Sequence, residues 1–100
     1  MSHPSHPTTL LLETRMREGL SPNALEILDE SHLHAGHAGA AGGGRHYRVR
    51  MSCQRFVGLT PVARHRLVYD LISDLMPHPI HALALELSAP SPATLAPIQP

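Results

Sequence analysis

The sequence predicts an α+β fold of two layers, a three-stranded mixed sheet with helices covering one face. Three observations predict it. Two segments, about Leu10–Gly19 and Pro61–Met76, repeat apolar residues at helical spacing. Three others, Ala24–Glu30, His46–Cys53 and His81–Leu87, carry the apolar content of strands, the last two with clear period-2 alternation. The order is helix, strand, strand, helix, strand. The first two strands, neighbours in the chain, pair antiparallel across a glycine-rich connection. The third returns through a helix, which favours parallel pairing by a right-handed crossover.

Each element has a local reason. Residues 1–8 are polar and hold two prolines, and are expected to be a disordered lead. Thr8 or Thr9 can cap the first helix, whose Leu12, Met16 and Leu20 share a face. Ser21-Pro22-Asn23 makes a turn. Leu25, Ile27 and Leu28 mark the first strand, with imperfect alternation. Residues 31–44 hold five of the seven glycines and three histidines, with little side chain to bury, and are expected to form a flexible loop. In the second strand Tyr47, Val49, Met51 and Cys53 lie on one face, Arg48, Arg50 and Ser52 on the other.

Gly58 is placed to permit a tight turn into the second helix. Thr60 stands as its N-cap and Pro61 takes the first helical position, where a missing N–H costs nothing. Val68, Leu71, Ile72, Leu75 and Met76 form its apolar stripe, with Val62 and His65 extending it backwards. Pro77 and Pro79 end it. Leu83, Leu85 and Leu87 then alternate with Ala82, Ala84 and Glu86, and His81 shares their parity at the strand's entrance. Residues 89–100 are rich in proline and alanine and are expected to be a disordered tail. The domain is therefore expected over residues 9–88.

A chain of 100 residues makes one small domain, with one core and little room for a deep cleft. The net charge is zero, so the charge balance of the whole chain argues for neither nucleic acid nor membrane. The distribution says more: residues 45–66 carry six arginines and no acid. Such a basic middle suits phosphate or an acidic partner, although solvated surface arginines are the commoner case. The single Cys53 excludes an internal disulfide and a Cys-paired zinc motif; its parity places it in the core. No apolar run reaches membrane-spanning length, and the N-terminus lacks the pattern of a secretory signal, so the chain is expected to be cytoplasmic. No Ser/His/Asp order, paired carboxylates or phosphate loop supports catalysis. Gly36-His37-Ala38-Gly39 has the Gly-x-x-Gly spacing of a nucleic-acid clamp, but such clamps join two helices and this one joins two strands. His65 between Arg64 and Arg66 reads as a structural histidine or as part of a polar surface. Read alone, His81 is more often a partly buried residue bonded to the backbone, and the loop histidines are solvated.

Four stretches change that weighting: Asp29-Glu30-Ser31-x-x-His34, Arg55-Phe56-x-Gly58, Arg64-His65-Arg66-Leu67-Val68-Tyr69, and Ile80-His81-Ala82-Leu83-Ala84-Leu85. In this order they resemble the BolA family, over about residues 12–88. The resemblance implies an αββαβ sandwich of class II KH-like type and no enzymatic activity. It implies a partner, a monothiol glutaredoxin with a Cys-Gly-Phe-Ser motif, joined in a heterodimer around a [2Fe–2S] cluster. The glutaredoxin cysteine and a glutathione thiol supply two ligands. This chain supplies a histidine matching His81 and a second ligand from the loop, by register His34, with His37 as a substitute and His32 less supported. Two histidines can replace two cysteines on one iron of such a centre. Since half of the ligand set comes from elsewhere, none is expected in the isolated chain. Other members of the family are described as DNA-binding regulators; on that alternative Arg48, Arg50, Arg64 and Arg66 contact phosphate.

Overall fold

A computed structural model describes residues 6–34 and 44–90. Helix α1 spans Pro7–Leu20 and strand β1 spans Ala24–Asp29. A short 3-10 turn covers Ser31–His34, then strand β2 runs over Arg45–Ser52. Helix α2 spans Pro61–Ile72 and strand β3 spans Ile80–Ser88. The sheet order is β1-β2-β3, with β1 antiparallel and β3 parallel to β2, as the order of elements required. The expected disorder of residues 1–5 and 91–100, and the flexibility of 35–43, lie outside the described residues.

α1 begins at Pro7, inside the stretch expected to be a lead, and its cap is His6 rather than Thr8 or Thr9. The His6 Nδ1 accepts the Thr8 N–H at 3.1 Å. Pro7 takes the same first helical position that Pro61 takes in α2. Leu12, Met16 and Leu20 are all buried, as their shared face required. α2 starts where its signals put it, with Thr60 Oγ1 accepting the Ala63 N–H at 3.1 Å. Gly58 has φ +80, a left-handed conformation that explains a glycine before the cap.

The core joins Leu12, Met16 and Leu20 of α1 to Tyr47, Val49 and Met51 of β2 and to Val68 and Ile72 of α2, with Cys53, Phe56, Leu75 and Ile80 closing its ends. Leu83, Leu85 and Leu87 pack against it. Ala89 also touches the core and Pro90 is buried, so the packed unit runs past residue 88. Arg15 grips Asp74 with two bonds, at 2.7 and 2.9 Å, and bonds the Leu71 carbonyl at 2.9 Å, tying α1 to the end of α2.

Val62 and His65 do not extend the buried stripe; both are exposed, Val62 by 62%. The inward face of α2 is centred on Arg64, Val68, Leu71 and Ile72, and at 100° per residue His65 falls about 75° and Val62 about 135° from that centre. Arg64 takes the inward place in the first turn because its guanidinium reaches polar groups. Its Nε donates to the Leu59 carbonyl at 3.1 Å and its Nη1 to Leu87 O at 3.5 Å. The Tyr69 hydroxyl donates to Leu83 O at 2.9 Å. Since Cys53 N–H bonds Ser88 O, the even-numbered carbonyls of this part of β3 face β2. Those of Leu83, Leu85 and Leu87 therefore point from the open edge.

Removing the N-cap hydroxyl by Thr60→Ala should cost about 1 kcal/mol, and Ile72→Ala, which empties a fully buried site, about 2–5 kcal/mol. Urea denaturation of the two variants measures both and should rank them in that order.

Candidate functional site

His81 lies at a break in the β2–β3 register. Arg45 pairs with Ile80, but the next residue of β2, His46, pairs with Ala82. His81 is thus the extra residue of a bulge, a device that re-aims a side chain. Ile80 enters the core, and His81 is exposed although it shares parity with the inward leucines. Its ring meets that of His46 with centroids 5.3 Å apart and planes tilted by 50°.

Both ends of the histidine and glycine connection meet this point. At the near end the Glu30 N–H donates to His46 O at 2.8 Å, and Ser31 Oγ accepts the His46 N–H at 3.1 Å. At the far end a Cβ on Gly44 would lie 2.5 Å from the His81 Cβ. Only a residue without a side chain allows that approach. Arg45 N–H then bonds Pro79 O at 2.9 Å, anchoring the start of β3. His81 is therefore neither sealed in the interior nor remote from the loop. His34 is the last residue of the 3-10 turn that leaves Ser31. His37 and the Gly36–Gly39 spacing lie outside the described residues.

An acid–base clamp closes the loop's base. Arg45 forms an ion pair with Asp29, and Asp29 Oδ1 accepts the Ser31 N–H at 3.0 Å. Burial pushes the Asp29 carboxyl up, but the bonds from Ser31 and the charge of Arg45 outweigh it and hold the carboxyl below its ordinary value.

The arginines of the basic middle are largely spoken for. On the outer face of the sheet Arg48 Nε bonds Glu30 at 3.0 Å and its Nη1 bonds Glu86 at 3.0 Å. Arg50 bonds Glu86 at 3.1 Å and Glu26 at 3.4 Å. The segment has no acid in sequence, yet the fold supplies three, Glu26 in β1, Glu86 in β3 and Glu30 just after β1. Arg64 is turned to backbone carbonyls, as described, whereas Arg66 is exposed. His65 is exposed and lines a shallow groove with Val62, Arg66 and Tyr69, the polar-surface placement of its two expected roles. Cys53 is buried in the core, its Sγ donating to Leu20 O at 3.1 Å.

Sequence reasoning missed His46, which it read only as the start of a strand. Its position beside His81 follows from cross-strand register, for which the sequence carries no local signal. Among the described residues, no group of three or more His, Cys, Asp or Glu could by itself hold a metal ion. No helix among them is long and apolar enough to cross a membrane.

The family model described as BolA-like protein matches residues 16–92. The chain belongs to the BolA family. It is 38% identical over 85 residues to BolA-like protein 1 of Mus musculus, covering 85% of this chain and 60% of that protein. It thus spans about three fifths of that curated relative's length. It is 36% identical over 75 residues to the DNA-binding transcriptional regulator BolA of Vibrio cholerae, covering 75% of this chain and 68% of the relative. Its structure is similar to the BolA domain of SufE1 from Arabidopsis thaliana, with TM-score 0.76 and 32% identity, covering 87% of this chain and 96% of that one. These matches agree with the two helices and three-stranded mixed sheet expected of a BolA fold.

A carboxyl held low in the fold stabilises it above the unfolded carboxylate value and loses that contribution as pH falls through the lowered folded value. Asp29→Asn should therefore be less stable than the wild type at pH 7, with the gap closing below about pH 4. Urea denaturation of both proteins from pH 7 to pH 2 checks it.

Proposed function

We propose that this BolA protein is a non-enzymatic iron–sulfur partner. It binds a monothiol glutaredoxin and completes the coordination of a shared [2Fe–2S] cluster through His81 and His34, with His37 as substitute, in cluster trafficking or iron sensing. One observation carries the reading: an exposed imidazole, set by a bulge on a rigid strand, stands where both ends of the histidine-bearing loop converge. These residues suit such a group. Imidazole nitrogen ligates iron, and the side-chain-free Gly44 lets the far end of the loop close against the base of His81.

The roles divide by stiffness. His81 is preorganised by the β2–β3 pairing and needs little ordering to serve as a ligand. The loop ligand gains its place only when a partner presents the metal, because ordering a glycine-rich segment costs entropy. The Asp29–Arg45 clamp and the Ser31–His46 bond limit that cost by fixing where the loop departs. When bound, the cluster supplies the two-iron, two-sulfide unit to be sensed or handed on. The chain supplies nitrogen ligands and a docking surface.

Co-purification with a monothiol glutaredoxin and glutathione should give a complex with a visible cluster spectrum. His81→Ala should lose or alter that spectrum, and His34→Ala should weaken it unless His37 substitutes. An unchanged spectrum and complex in His81→Ala would remove the ligand assignment. Imidazole binds metal only when neutral, so the spectrum should also fade below about pH 6.

A second reading, DNA-binding regulation, rests on the name of the Vibrio cholerae relative. Arg48 and Arg50 would have to exchange carboxylates for phosphates, and Arg64 would have to leave two carbonyls. Of the four candidates, Arg66 has the freest approach. Gel shifts at rising salt separate the readings: phosphate-driven binding falls steeply with salt, and no shift at low salt excludes it.

A further inference from the structure

The two helices open on the same construction and differ in the residue that closes it. Each has a proline at its first position, Pro7 in α1 and Pro61 in α2. The cap before Pro61 is Thr60, whose hydroxyl accepts the Ala63 N–H whatever the pH near neutrality. The cap before Pro7 is His6, and there the acceptor is an imidazole nitrogen, Nδ1, 3.1 Å from the Thr8 nitrogen. A ring nitrogen accepts a hydrogen bond only while it carries no proton. We propose that His6 makes the opening turn of α1 a pH-sensitive fastening, closed while the imidazole is neutral and released when it is protonated.

Two effects act together on release. A protonated Nδ1 is a donor facing the Thr8 N–H, a second donor, so the bond becomes a repulsive contact. The imidazolium also sits at the positive end of the helix, where the unpaired N–H groups of the first turn disfavour a cation. The turn that this cap holds is tied to the sheet. Thr8 is buried, and Thr9 Oγ1 bonds the Tyr47 hydroxyl of β2 at 2.8 Å. That hydroxyl also interacts with the Arg45 guanidinium, the partner of Asp29 at the base of the loop. A turn that comes undone therefore loosens a contact with the strand that carries the clamp.

The bonds from Arg15 to Asp74 and the approach of Gly19 to Leu71 show that α1 runs antiparallel to α2, which brings the connection after α2 to the start of α1. The charged and titratable groups on the elements packed at this end are thus Tyr47 and Arg45 of β2, Asp29 of β1 and His78 after α2, with Glu13 further along α1 itself. Arg45 and Asp29 hold each other. Among the described residues none of these groups bonds the His6 ring, so no paired carboxylate offsets the added charge. The sign follows: the cap contributes above the range in which histidines ordinarily change charge, about pH 6.5, and is lost as pH falls through it. Neither glutaredoxin nor a cluster enters, so the inference stands apart from the proposed function.

The test uses the full chain alone, from about pH 7.5 to about pH 5, either side of the ordinary histidine value. The Cα chemical shifts of Pro7–Leu10 should move toward unfolded values with the same midpoint as the His6 ring signals, while those of Pro61–Arg64 stay. Urea denaturation of the wild type and of His6→Ser reads the energetic side. The other eight of the nine histidines titrate in both proteins and cancel in the comparison. Relative to His6→Ser, the wild-type folding equilibrium constant should fall about fivefold across the range, the effect of losing a typical cap. His6→Ala, which has no cap at either pH, should show no such change against His6→Ser. A constant ratio between wild type and His6→Ser, or first-turn shifts that ignore the His6 ring titration, overturns the proposal.

Discussion

The pairing of β2 with β3 slips by one residue between Arg45 and His46, and most of the site follows from that slip. Without it Ile80 and His81 would keep the parity of the strand, and the histidine would share the inward face of Leu83, Leu85 and Leu87. With it Ile80 fills the core and the imidazole turns out, beside His46 and Gly44. A bulge leaves one residue outside the regular ladder. Here the apolar burial of Ile80 on one side and the Arg45–Pro79 backbone bond just before it hold the irregularity in place.

Charge is organised by the sheet rather than by the chain. Six arginines fall within residues 45–66, a run that in isolation resembles a basic patch. Folding sets Arg48 and Arg50 between Glu26 of β1, Glu30 just past its end and Glu86 of β3, and Arg45 against Asp29. Exposed pairs of this kind add little stability singly, but they consume positive charge that a phosphate backbone would need. The same face stays polar, which suits a sheet covered by helices on its other side only.

The sequence made the elements legible because their signals are local. Thr60-Pro61 announces α2 and the alternation of Tyr47, Val49, Met51 and Cys53 announces β2; β2 lies within a residue of its expected bounds, and α2 starts as read but ends at Ile72, four residues before Met76, where Ser73–Leu75 tighten into a 3-10 turn. The start of α1 was readable too: Pro7 carries the same message as Pro61, but a histidine is a less familiar cap than a threonine. The candidate site was legible only in part. His81 and the loop histidines were reached through family resemblance, whereas His46 was not reached at all. Its partnership with His81 depends on a register slip between segments 35 residues apart in the chain. The ion pairs that neutralise Arg48 and Arg50 are likewise set by which strands neighbour β2, and no window of sequence contains both members.

The two side chains of α2 that bond Leu83 O and Leu87 O have a consequence for assembly. A free margin of sheet invites another strand to join it, the route by which small β-containing proteins grow into ribbons. Tyr69 and Arg64 already occupy two of the acceptors that an incoming strand would need. A strand adding along the β3 side would first have to displace both side chains from these carbonyls, so the fold itself opposes growth at that margin.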